Sequence, residues 1–498
     1  MVNDTHRRLM IPKQQIAKQD PRARIENFDE VYRGFTVEDA RVEAMRCIQC
    51  PAAPCQDACP VHNDIPGSFK LLEIGDILGA SEVFRATSNL PEMCGRLCPQ
   101  EKLCEGACVV GFAIRIDGSQ EPPVTIGKLE AFVNDEQRRI TGGYPVPELA
   151  PSTGRKVAII GSGPAGIAVA EMLAIRGHAC VIYEGWPEPG GVLIYGIPNF
   201  KMRKDIVDEK IVQLQQMGVT FITNTWIGKD ITIEQLITEQ GFHSIFIGTG
   251  AGVGNALQIP GEGEYSGVYA ATDYLVRGNL TAEALPEHLR DPLPPAKRVV
   301  VIGGGDTSMD CVRTARRLGA EEVSCMYRRT EAEMLGREEE RRHAKEEGVQ
   351  FLWMTIPLRI LGAEGKITGV ECQRVELGEP DDSGRRRPVP VPGSEFVLPA
   401  DAVAIAIGYN ADPLIPRSTS GLKANRWALL EVNPQTMRTS MEGVFAGGDN
   451  VNGADLVVTA LADGRRAAAA IDAYLTEELP LIEAAREASR RGGGRPRR

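Results

Sequence analysis

The chain has 498 residues, enough for about three domains of ordinary size, and its 43% hydrophobic and 25% charged residues are typical of a soluble globular protein. No stretch approaches the ~18 uninterrupted apolar residues of a membrane span. A net charge of −11 argues against a general nucleic-acid binder, which needs a basic surface for phosphate contacts, so we expect neither nucleic-acid nor membrane partners.

The N-terminal module, residues 1–145, is predicted to be helical, with patches such as FTVEDARVEAMRC. The opening sequence MVNDTHRRLM lacks the apolar run of a secretory signal, and disulfides would need an oxidising compartment. We therefore expect a cytoplasmic protein with reduced cysteines.

Eight of the twelve cysteines lie in two short runs, CIQCPAAPCQDACP and CGRLCPQEKLCEGAC. Each iron of a 4Fe-4S cluster needs one protein ligand, so eight thiolates suit two clusters. As in bacterial ferredoxins, each run contains a Cys-Pro pair, and there the Cys before Pro serves the other cluster. The runs therefore predict a carrier of single electrons. The eight residues are Cys47, Cys50, Cys55 and Cys59 in the first run and Cys94, Cys98, Cys104 and Cys108 in the second.

Zinc is the main alternative for these cysteines, because C-x2-C is also a zinc-knuckle spacing. Zinc sites usually pair two short arms, whereas each run here holds four cysteines with unequal gaps, which favours iron–sulfur clusters. A zinc-binding scaffold without enzymatic activity remains the alternative from another class of protein. The isolated Cys180, Cys311, Cys325 and Cys372 are expected to be buried small apolar residues.

Two similar units follow a Gly/Pro-rich linker, TGGYPVPELAPSTG. KVAIIGSGPAGIAVAEMLAIRG predicts a strand, a glycine turn and a helix, and ACVIYEG predicts the next strand. The same plan recurs in KRVVVIGGGDTSMDCVRTARRLGA and EEVSCMYRR. This duplication predicts two dinucleotide-binding units.

The first unit carries the pattern Gly-x-Gly-x-x-Gly at Gly161, Gly163 and Gly166, between a strand and a helix. In this context the glycines form the turn, admit a pyrophosphate and allow close packing, while the helix N-terminus offers amides to the anion. Glu184 ends the next strand, where a carboxylate accepts ribose hydroxyls and repels a 2′-phosphate. The first unit is therefore predicted to bind FAD or NAD.

The second unit has Gly303, Gly305 and Ser308 in the same positions, and it lacks the acid. Arg328 and Arg329 stand there instead, and two guanidinium groups fit a 2′-phosphate, so NADPH is favoured over NADH. A solvated arginine pair on a loop is the alternative, and the nearby Glu331 and Glu333 count against phosphate binding.

A further strand runs into Gly447, Gly448 and Asp449 near the C-terminus, and Asp455 precedes the next helix. An acid after a strand-end glycine pair can hold a polyol hydroxyl, and a helix start can stabilise the negative charge of a reduced flavin. We therefore expect this segment to complete the first site as an FAD domain.

These elements together resemble the family of the small (beta) subunits of bacterial NADPH-dependent glutamate synthase, an architecture shared with the N-terminal part of dihydropyrimidine dehydrogenase. The likeness runs from RCIQC through PGGVLIYGIPNFK and GGGDTSMDC to GGDNVNGADLVVTA. It implies an α/β fold with two Rossmann-like nucleotide-binding domains (glutathione-reductase-like), preceded by an α-helical domain with two 4Fe-4S clusters. By the same resemblance, one cluster would use Cys47, Cys50, Cys55 and Cys108, and the other Cys59, Cys94, Cys98 and Cys104.

The resemblance also adds Gly191 to the first site and Asp306 and Thr307 to the second. The dehydrogenase branch has a glutamine ligand at the position of Glu130, whereas this chain has Cys94, as in the glutamate synthase branch. One departure is MLGREEE, where Leu335 stands in place of the family's proline.

The implied function is oxidation of NADPH at FAD and passage of electrons through two 4Fe-4S clusters to a large (alpha) glutamate synthase subunit, which forms L-glutamate from glutamine and 2-oxoglutarate. No catalytic side chain is expected in the hydride step. Subunits of a ferredoxin:NADP transhydrogenase, a sulfide dehydrogenase or a pyrimidine-reducing complex remain alternatives. The expected domains are residues 1–145 (iron–sulfur), 151–288 with 409–480 (FAD), 289–408 (NADPH) and a basic, disordered tail at 481–498.

Overall fold

The computed structural model describes residues 4–115, 117–380 and 384–484. Its N-terminal part is helical, as predicted. Three of the helices begin at aspartate caps: the side chain of Asp20 accepts hydrogen bonds from the amides of Arg22 and Ala23, and those of Asp64 and Asp76 accept from the amides of Gly67 and Gly79. The helices are α1 (Asp4–Leu9), α2 (Pro21–Arg24), α3 (Val37–Met45), α4 (Pro54–Asp57), α5 (Ile65–Glu73), α6 (Ile77–Thr87), α7 (Pro91–Leu97) and α8 (Ile126–Thr141), with 3₁₀ turns at Gln100–Lys102 and Val109–Phe112.

The first nucleotide-binding domain starts at the apolar run that follows the linker. Its strands at Lys156–Ile160 and Ser244–Ile247 are buried along most of their length, as expected for parallel strands covered by helices on both faces. The elements are β1 (Lys156–Ile160), α9 (Pro164–Ile175), β2 (Ala179–Tyr183), α10 (Val192–Tyr195), α11 (Asp205–Gln216), β3 (Thr220–Ile222), α12 (Ile233–Thr238) and β4 (Ser244–Ile247).

The chain then forms the second domain, in which a parallel sheet is joined by an antiparallel one. The elements are β5 (Val253–Gly254), β6 (Val268–Ala270), α13 (Ala271–Asn279), β7 (Arg298–Ile302), α14 (Asp306–Arg317), β8 (Glu322–Met326), α15 (Glu338–Glu346), β9 (Gln350–Leu352), β10 (Thr355–Ala363), β11 (Lys366–Pro380), β12 (Arg386–Pro390), β13 (Phe396–Pro399) and β14 (Ala402–Ile405), with 3₁₀ turns at Ala282–Ala284, Glu287–Leu289 and Glu331–Glu333.

Finally the chain returns to the first domain. The last elements are β15 (Tyr409–Asn410), α16 (Leu414–Ser418), β16 (Val444–Ala446), α17 (Asp449–Asn452), α18 (Val457–Ala473) and a π-helical turn at Tyr474–Glu478. The outgoing strand β5 and the returning strand β15 pair with each other in antiparallel orientation. The two crossings between the domains therefore run side by side.

Each domain is built on a five-stranded parallel sheet. The first has the order β16-β4-β1-β2-β3 and the second β6-β14-β7-β8-β9, while β10, β11, β12 and β13 form the antiparallel addition. In both sheets the strand that leads into the glycine turn lies at the centre. The predicted fold class is thus confirmed, because two Rossmann-like units follow a helical module.

Helices α9 and α18 pack closely over the first sheet because small residues line their contact. A Cβ on Gly464 would lie 2.4 Å from the carbonyl oxygen of Ala165. Glycine is therefore required at this crossing. The first glycine turn leads into the N-terminus of α9. The contact holds this N-terminus against α18 in the C-terminal segment of the chain.

The N-terminal segment ties the helical module to both nucleotide-binding domains. Arg24 is fully buried, and its Nε donates to Glu347 Oε1 of the second domain at 2.7 Å. Nearby, the amide of Val31 donates to the carbonyl of Phe200 in the first domain at 3.1 Å. Removing one partner of a buried ion pair costs about 3–5 kcal/mol, so these contacts hold the three parts in one arrangement.

Two predicted domain boundaries, at residues 289 and 481, differ from the structure. Strand β6 pairs with β14, so the chain enters the second sheet before the predicted boundary at residue 289. Between these boundaries, the segment GEPDDSGRRRPVPVPG contains the end of β11 and all of β12, which pair in antiparallel orientation, while residues 381–383 lie outside the described residues. Residues 481–484 of the predicted tail are helical, and residues 485–498 also lie outside the described part.

Candidate functional site: two nucleotide turns and two thiol groups

The first glycine turn, residues 161–166, joins the carboxyl end of β1 to the N-terminus of α9. Gly161 has φ +97°, and a Cβ there would lie 2.4 Å from the carbonyl oxygen of Gly248. A Cβ on Gly166 would lie 2.1 Å from the carbonyl oxygen of Gly161. For Gly163, in contrast, no described atom lies within 4 Å of the added Cβ. Gly161 and Gly166 therefore serve packing, whereas Gly163 leaves open space at the helix start.

Ser162, which the glycine pattern does not single out, connects three predicted parts of this site. Glu184 Oε2 accepts hydrogen bonds from both the amide and the hydroxyl of Ser162. The same hydroxyl accepts from the amide of Gly190 at 2.8 Å. The adjacent Gly191 also meets the turn, because a Cβ there would lie 2.8 Å from the Cα of Gly163. The predicted residues Gly163, Glu184 and Gly191 are thus brought together.

The C-terminal glycine pair also reaches this turn. Gly448 has φ +82°, and its added Cβ would lie 3.3 Å from the Cβ of Ala165 on α9. The amide of Gly448 donates to Asp463 Oδ2 at 2.9 Å, a contact between distant residues that the sequence does not signal. Burial raises the pKa of the Asp449 carboxyl to about 6, against a backbone hydrogen bond from Asp455 that lowers it. A buried carboxyl group such as that of Asp449 can form a hydrogen bond with a ligand hydroxyl group.

The second glycine turn follows the same design. Gly303 has φ +145°, and a Cβ there would lie 2.1 Å from the carbonyl oxygen of Ala406. The Ser308 hydroxyl, in place of a third glycine, donates to that same carbonyl at 3.4 Å. For Gly305 no described atom lies within 4 Å of the added Cβ, as for Gly163. Space therefore opens at the N-terminus of α14 as well.

Asp306 and Thr307 occupy the first turn of α14 with different contacts. Asp306 Oδ1 accepts the amide of Arg337 at 3.0 Å. Burial raises the pKa of the Tyr409 hydroxyl, against hydrogen bonds with the side chains of Thr272 and Thr307 that lower it. The helix start that carries the open glycine is thus held by the returning strand β15 on one side and by residue 337 on the other.

The two arginines after β8 have different environments. Arg328 is exposed, whereas Arg329 is 2% exposed and its Nε donates to the carbonyl of Arg386 at 2.8 Å. The two acids that counted against phosphate binding have other partners, since Glu333 caps residue Thr330 and Glu331 pairs with Lys345. Arg328 is therefore the better placed of the two for a ligand at the end of the sheet.

The eight cysteines of the two runs form two groups that cut across the order of the chain. Burial and, to a smaller extent, the neighbouring thiols of Cys47, Cys108 and Cys50 together raise the pKa of the Cys55 thiol to about 12. In the other group, Cys94 lies near Cys59 and Cys98, and Cys104 lies near Cys59 and Cys98. We call these the first thiol group (Cys47, Cys50, Cys55 and Cys108) and the second thiol group (Cys59, Cys94, Cys98 and Cys104).

The donor sets fit iron–sulfur chemistry. Four soft sulfur donors in each group match the one ligand per iron that a 4Fe-4S cluster needs. Burial also raises the pKa of the Cys47 and Cys59 thiols to about 11 each, and a bound metal would oppose this shift because metal ligation stabilises the thiolate. Within the described ranges, no three His, Cys, Asp or Glu side chains are arranged to bind a single metal ion.

The two thiol groups differ in their distance from the first nucleotide-binding domain. Cys59, Cys94 and Cys98 belong to the apolar core that also contains Ala165 of α9 and Leu461 of α18. Cys47, Cys55 and Cys108 of the first thiol group instead lie in the core of the helical module, together with Cys104 of the second group. Of the twelve cysteines, all of which are described, Cys50 is the one that is not buried. The second thiol group is therefore adjacent to the first glycine turn's domain, and the first thiol group lies further out.

Glu130 on α8 lies beside the second thiol group. Burial raises its pKa well above the usual value, and the neighbouring Cys94 raises it further. Its Oε1 accepts a hydrogen bond from Asn63 Nδ2 at 3.0 Å. The isolated cysteines are buried, as expected: they are Cys180, Cys311, Cys325 and Cys372. In the described part of the chain, no helix has the length and apolar character of a membrane span.

Comparisons with known proteins agree with this arrangement. Residues 24–141 match the 4Fe-4S cluster domain described as dihydropyrimidine dehydrogenase domain II, and residues 155–464 match the pyridine nucleotide-disulphide oxidoreductase family. The structure of Mycobacterium tuberculosis FprA in complex with NADPH has the same fold, with a TM-score of 0.55 and 20% identity, over 68% of this chain and 86% of that one. Fold and site define an NADPH-dependent flavin oxidoreductase with an iron–sulfur domain.

Two relatives show which members of this class of oxidoreductase the chain is similar to. The glutamate synthase [NADPH] small chain of Halomonas elongata is 41% identical over 92% of this chain and 97% of its own length. The chain belongs to the family of these small chains. The NADP(+)-dependent formate dehydrogenase subunit beta of Moorella thermoacetica is 39% identical over 86% of this chain and 61% of its own length. The same architecture thus also occurs in subunits named for another reaction.

The open space at Gly163 leads to a first prediction. Gly163→Ala is expected to weaken FAD binding roughly tenfold or more, because the methyl group would occupy the space through which a pyrophosphate approaches the turn. The free energy of unfolding of the flavin-free protein should change by less than about 1 kcal/mol. Flavin titration and chemical denaturation measure the two quantities.

Gly166→Ala is the matched control, since its Cβ would lie 2.1 Å from the carbonyl oxygen of Gly161. This variant should lose about 2 kcal/mol or more of stability even without flavin. Wild-type FAD affinity in Gly163→Ala would show that the open space is not used by the cofactor.

Proposed function

We propose that this chain is the electron-input subunit of an NADPH-dependent glutamate synthase, which oxidises NADPH and delivers the electrons to a large (alpha) subunit that forms L-glutamate from glutamine and 2-oxoglutarate. One observation carries the proposal. The structure has two open nucleotide turns and two thiol groups; Cys59, Cys94 and Cys98 of the second group pack in the core of the first nucleotide-binding domain, whereas Cys47, Cys55 and Cys108 of the first group lie in the core of the helical module. This is a serial arrangement, as an electron-transfer chain requires.

The groups that this arrangement would hold supply the redox chemistry: FAD accepts a hydride and releases electrons singly, and 4Fe-4S clusters carry single electrons. The residues of this protein would bind these groups, orient them and insulate them. Gly163 and Gly305 admit pyrophosphates to the starts of α9 and α14. Glu184, held by Ser162, would bind a ribose hydroxyl, and Arg328 with Arg329 would favour a 2′-phosphate.

The proposal includes two 4Fe-4S clusters, with the first and second thiol groups as their ligand sets, and the same placement supports it. The second thiol group would receive electrons from the flavin side because its Cys59, Cys94 and Cys98 share a core with α9 and α18. The first thiol group would pass them on, since its Cys50 is the partly exposed thiol. No side chain is assigned as an acid or base, because hydride transfer to FAD moves no separate proton through the protein.

A second candidate keeps the NADPH, FAD and cluster path and replaces the acceptor. The similarity to a formate dehydrogenase subunit beta favours this possibility, because a related chain serves there in an assembly named for another reaction. The difference between the candidates lies in the partner and not in the sites described above.

The test is purification of the chain without oxygen from its native cell, followed by identification of bound proteins. We expect a large glutamate synthase subunit to co-purify. The isolated chain should oxidise NADPH with ferricyanide and make no glutamate, and addition of the large subunit should restore glutamate formation. A native partner of another kind would favour the second candidate, and glutamate formation by the isolated chain would contradict the division of labour.

A further inference from the structure

A short loop after β8, residues 334–337, lies directly on the second glycine turn. The amide of Gly336 donates to the carbonyl of Gly304 at 2.9 Å, and a Cβ on Gly336 would lie 3.3 Å from the carbonyl carbon of Gly305. The next amide, that of Arg337, donates to Asp306 Oδ1 at 3.0 Å. A nucleotide on this turn would therefore meet a backbone that is already bonded to the loop.

The side chain of Arg337 leaves the loop in the other direction and enters the helical module. It is 3% exposed, and its two terminal nitrogens donate at 3.0 Å to the carbonyl of Arg96 and to Gln100 Oε1. Gln100 is itself buried, and its Nε2 donates to the carbonyls of Cys94 at 3.3 Å and Gly95 at 3.0 Å. Hydrogen bonds thus run unbroken from the second turn to the helix that carries Cys94.

A second contact joins the same two regions. Lys102 Nζ, in the 3₁₀ turn after Cys98, donates to the carbonyl of Leu335 at 3.0 Å. The loop is therefore held to the cysteine-bearing segment on both sides of Gly336. This contact uses only the backbone carbonyl of Leu335 and not its side chain.

The charge of Arg337 makes the connection electrostatic as well as mechanical. Burial opposes its charge, while the nearby carboxylates of Glu340, Glu339 and Asp306 support it and raise its pKa overall. Its Nε has no hydrogen-bond partner among the described atoms. The potential of an iron–sulfur cluster depends on the net charge and hydrogen bonding around it. A buried cation that lies between a phosphate site and a thiol group interacts electrostatically with the charges at both.

We infer that Arg337 is a positioning residue that couples occupancy of the second nucleotide site to the reduction potential of the cluster on the second thiol group. The inference rests on the proposed function for the identity of that cluster and of the nucleotide. Because coupling between two binding equilibria is reciprocal, the redox state of this cluster also changes the affinity for the nucleotide.

The test uses the anaerobic holoenzyme and NADP⁺, which occupies the site without donating electrons. The midpoint potential and the EPR spectrum of the reduced cluster are recorded with and without NADP⁺. We expect a change of about fivefold in relative affinity, equivalent to ~40 mV for a one-electron couple. Arg337→Gln should lose most of this shift. Arg337→Lys, which keeps the charge and loses the two-point contact, should retain only part of it.

Arg341→Gln is the matched control. Arg341 lies one turn further along α15 and donates to the carbonyls of Glu331 and Met334, so it supports the same loop from within the second domain. This variant should keep the wild-type shift. The inference would be overturned if saturating NADP⁺ left the midpoint potential of the wild-type cluster unchanged. It would also be overturned if Arg337→Gln kept the wild-type shift in potential. Absence of acid-labile sulfide would overturn the proposed function as well, and a sulfide assay identifies that case separately.

Discussion

Replacing Cys55 and Cys59 by serine, one at a time, is expected to remove two different iron–sulfur clusters, although the two residues are only four positions apart. Cys55 lies among Cys47, Cys50 and Cys108, whereas Cys59 lies near Cys94 and Cys104 of the other run. If each run held its own cluster, both substitutions would destroy the same one. Each variant should retain about four of about eight irons per chain, with loss of a different EPR signal.

The same pair of variants also tests the order of electron flow. Cys59→Ser should prevent NADPH from reducing the remaining cluster, because the thiol group packed against the first nucleotide-binding domain is then lost. Cys55→Ser should leave reduction of the second thiol group's cluster intact. Delivery to the large subunit should fall to background in both, since a serial path fails when either step is missing.

Flavin content and NADPH oxidation with ferricyanide show whether each variant has folded. Cys180→Ser is the matched control, because Cys180 is a buried cysteine of the first nucleotide-binding domain whose Sγ donates to the carbonyl of His178 at 3.7 Å. It should retain both clusters. Loss of one common EPR signal in Cys55→Ser and Cys59→Ser would refute the interleaved ligand sets.

The glycine turns could be predicted from the sequence because their requirements are local. Gly161 and Gly303 have positive φ and sit at fixed positions between a strand and a helix, so the pattern itself encodes the geometry. The packing partners could not be predicted in this way. Asp463 reaches Gly448 and Gln100 reaches Arg337 across long sequence separations, and no spacing rule marks such contacts.

The cysteines show the same limit in another form. Their spacing indicates eight thiolate ligands, but spacing alone does not tell whether a run folds on itself or exchanges ligands with its neighbour. The interleaved sets came from the resemblance to a family, and the structure brings Cys108 close to Cys47 and Cys55 because the chain after α7 returns to α4. The boundary at 289 differed for a related reason, since β6 joins the second sheet by pairing with the distant β14.

The arginine pair after β8 illustrates what strand geometry adds to a motif. Successive side chains of an extended segment point to opposite sides, so two adjacent arginines do not face one ligand equally. The burial pattern alternates accordingly: Tyr327 is buried, Arg328 is exposed and Arg329 is buried. The motif thus predicts a cationic end of the sheet, and the backbone geometry determines that Arg328 is exposed and Arg329 is buried.

Arg328→Gln is expected to raise the KM for NADPH by roughly 10–100-fold and to change the KM for NADH by less than about threefold. A hydrogen bond between charged groups contributes about 1.5–3 kcal/mol, and NADH lacks the 2′-phosphate that would receive it. Steady-state oxidation of both nucleotides with ferricyanide measures the ratio. Because the flavin site is distant in sequence and separately built on β1, FAD content should not change.

Arg329→Gln is the matched comparison for the same measurement. The Nε of Arg329 donates to the carbonyl of Arg386 on β12, and the residue is 2% exposed, so its replacement should lower the free energy of unfolding by about 1–3 kcal/mol. Its effect on nucleotide choice should be smaller than that of Arg328→Gln. An equal rise in KM for NADPH and NADH in Arg328→Gln would show that Arg328 supports the fold of the site and does not read the 2′-phosphate.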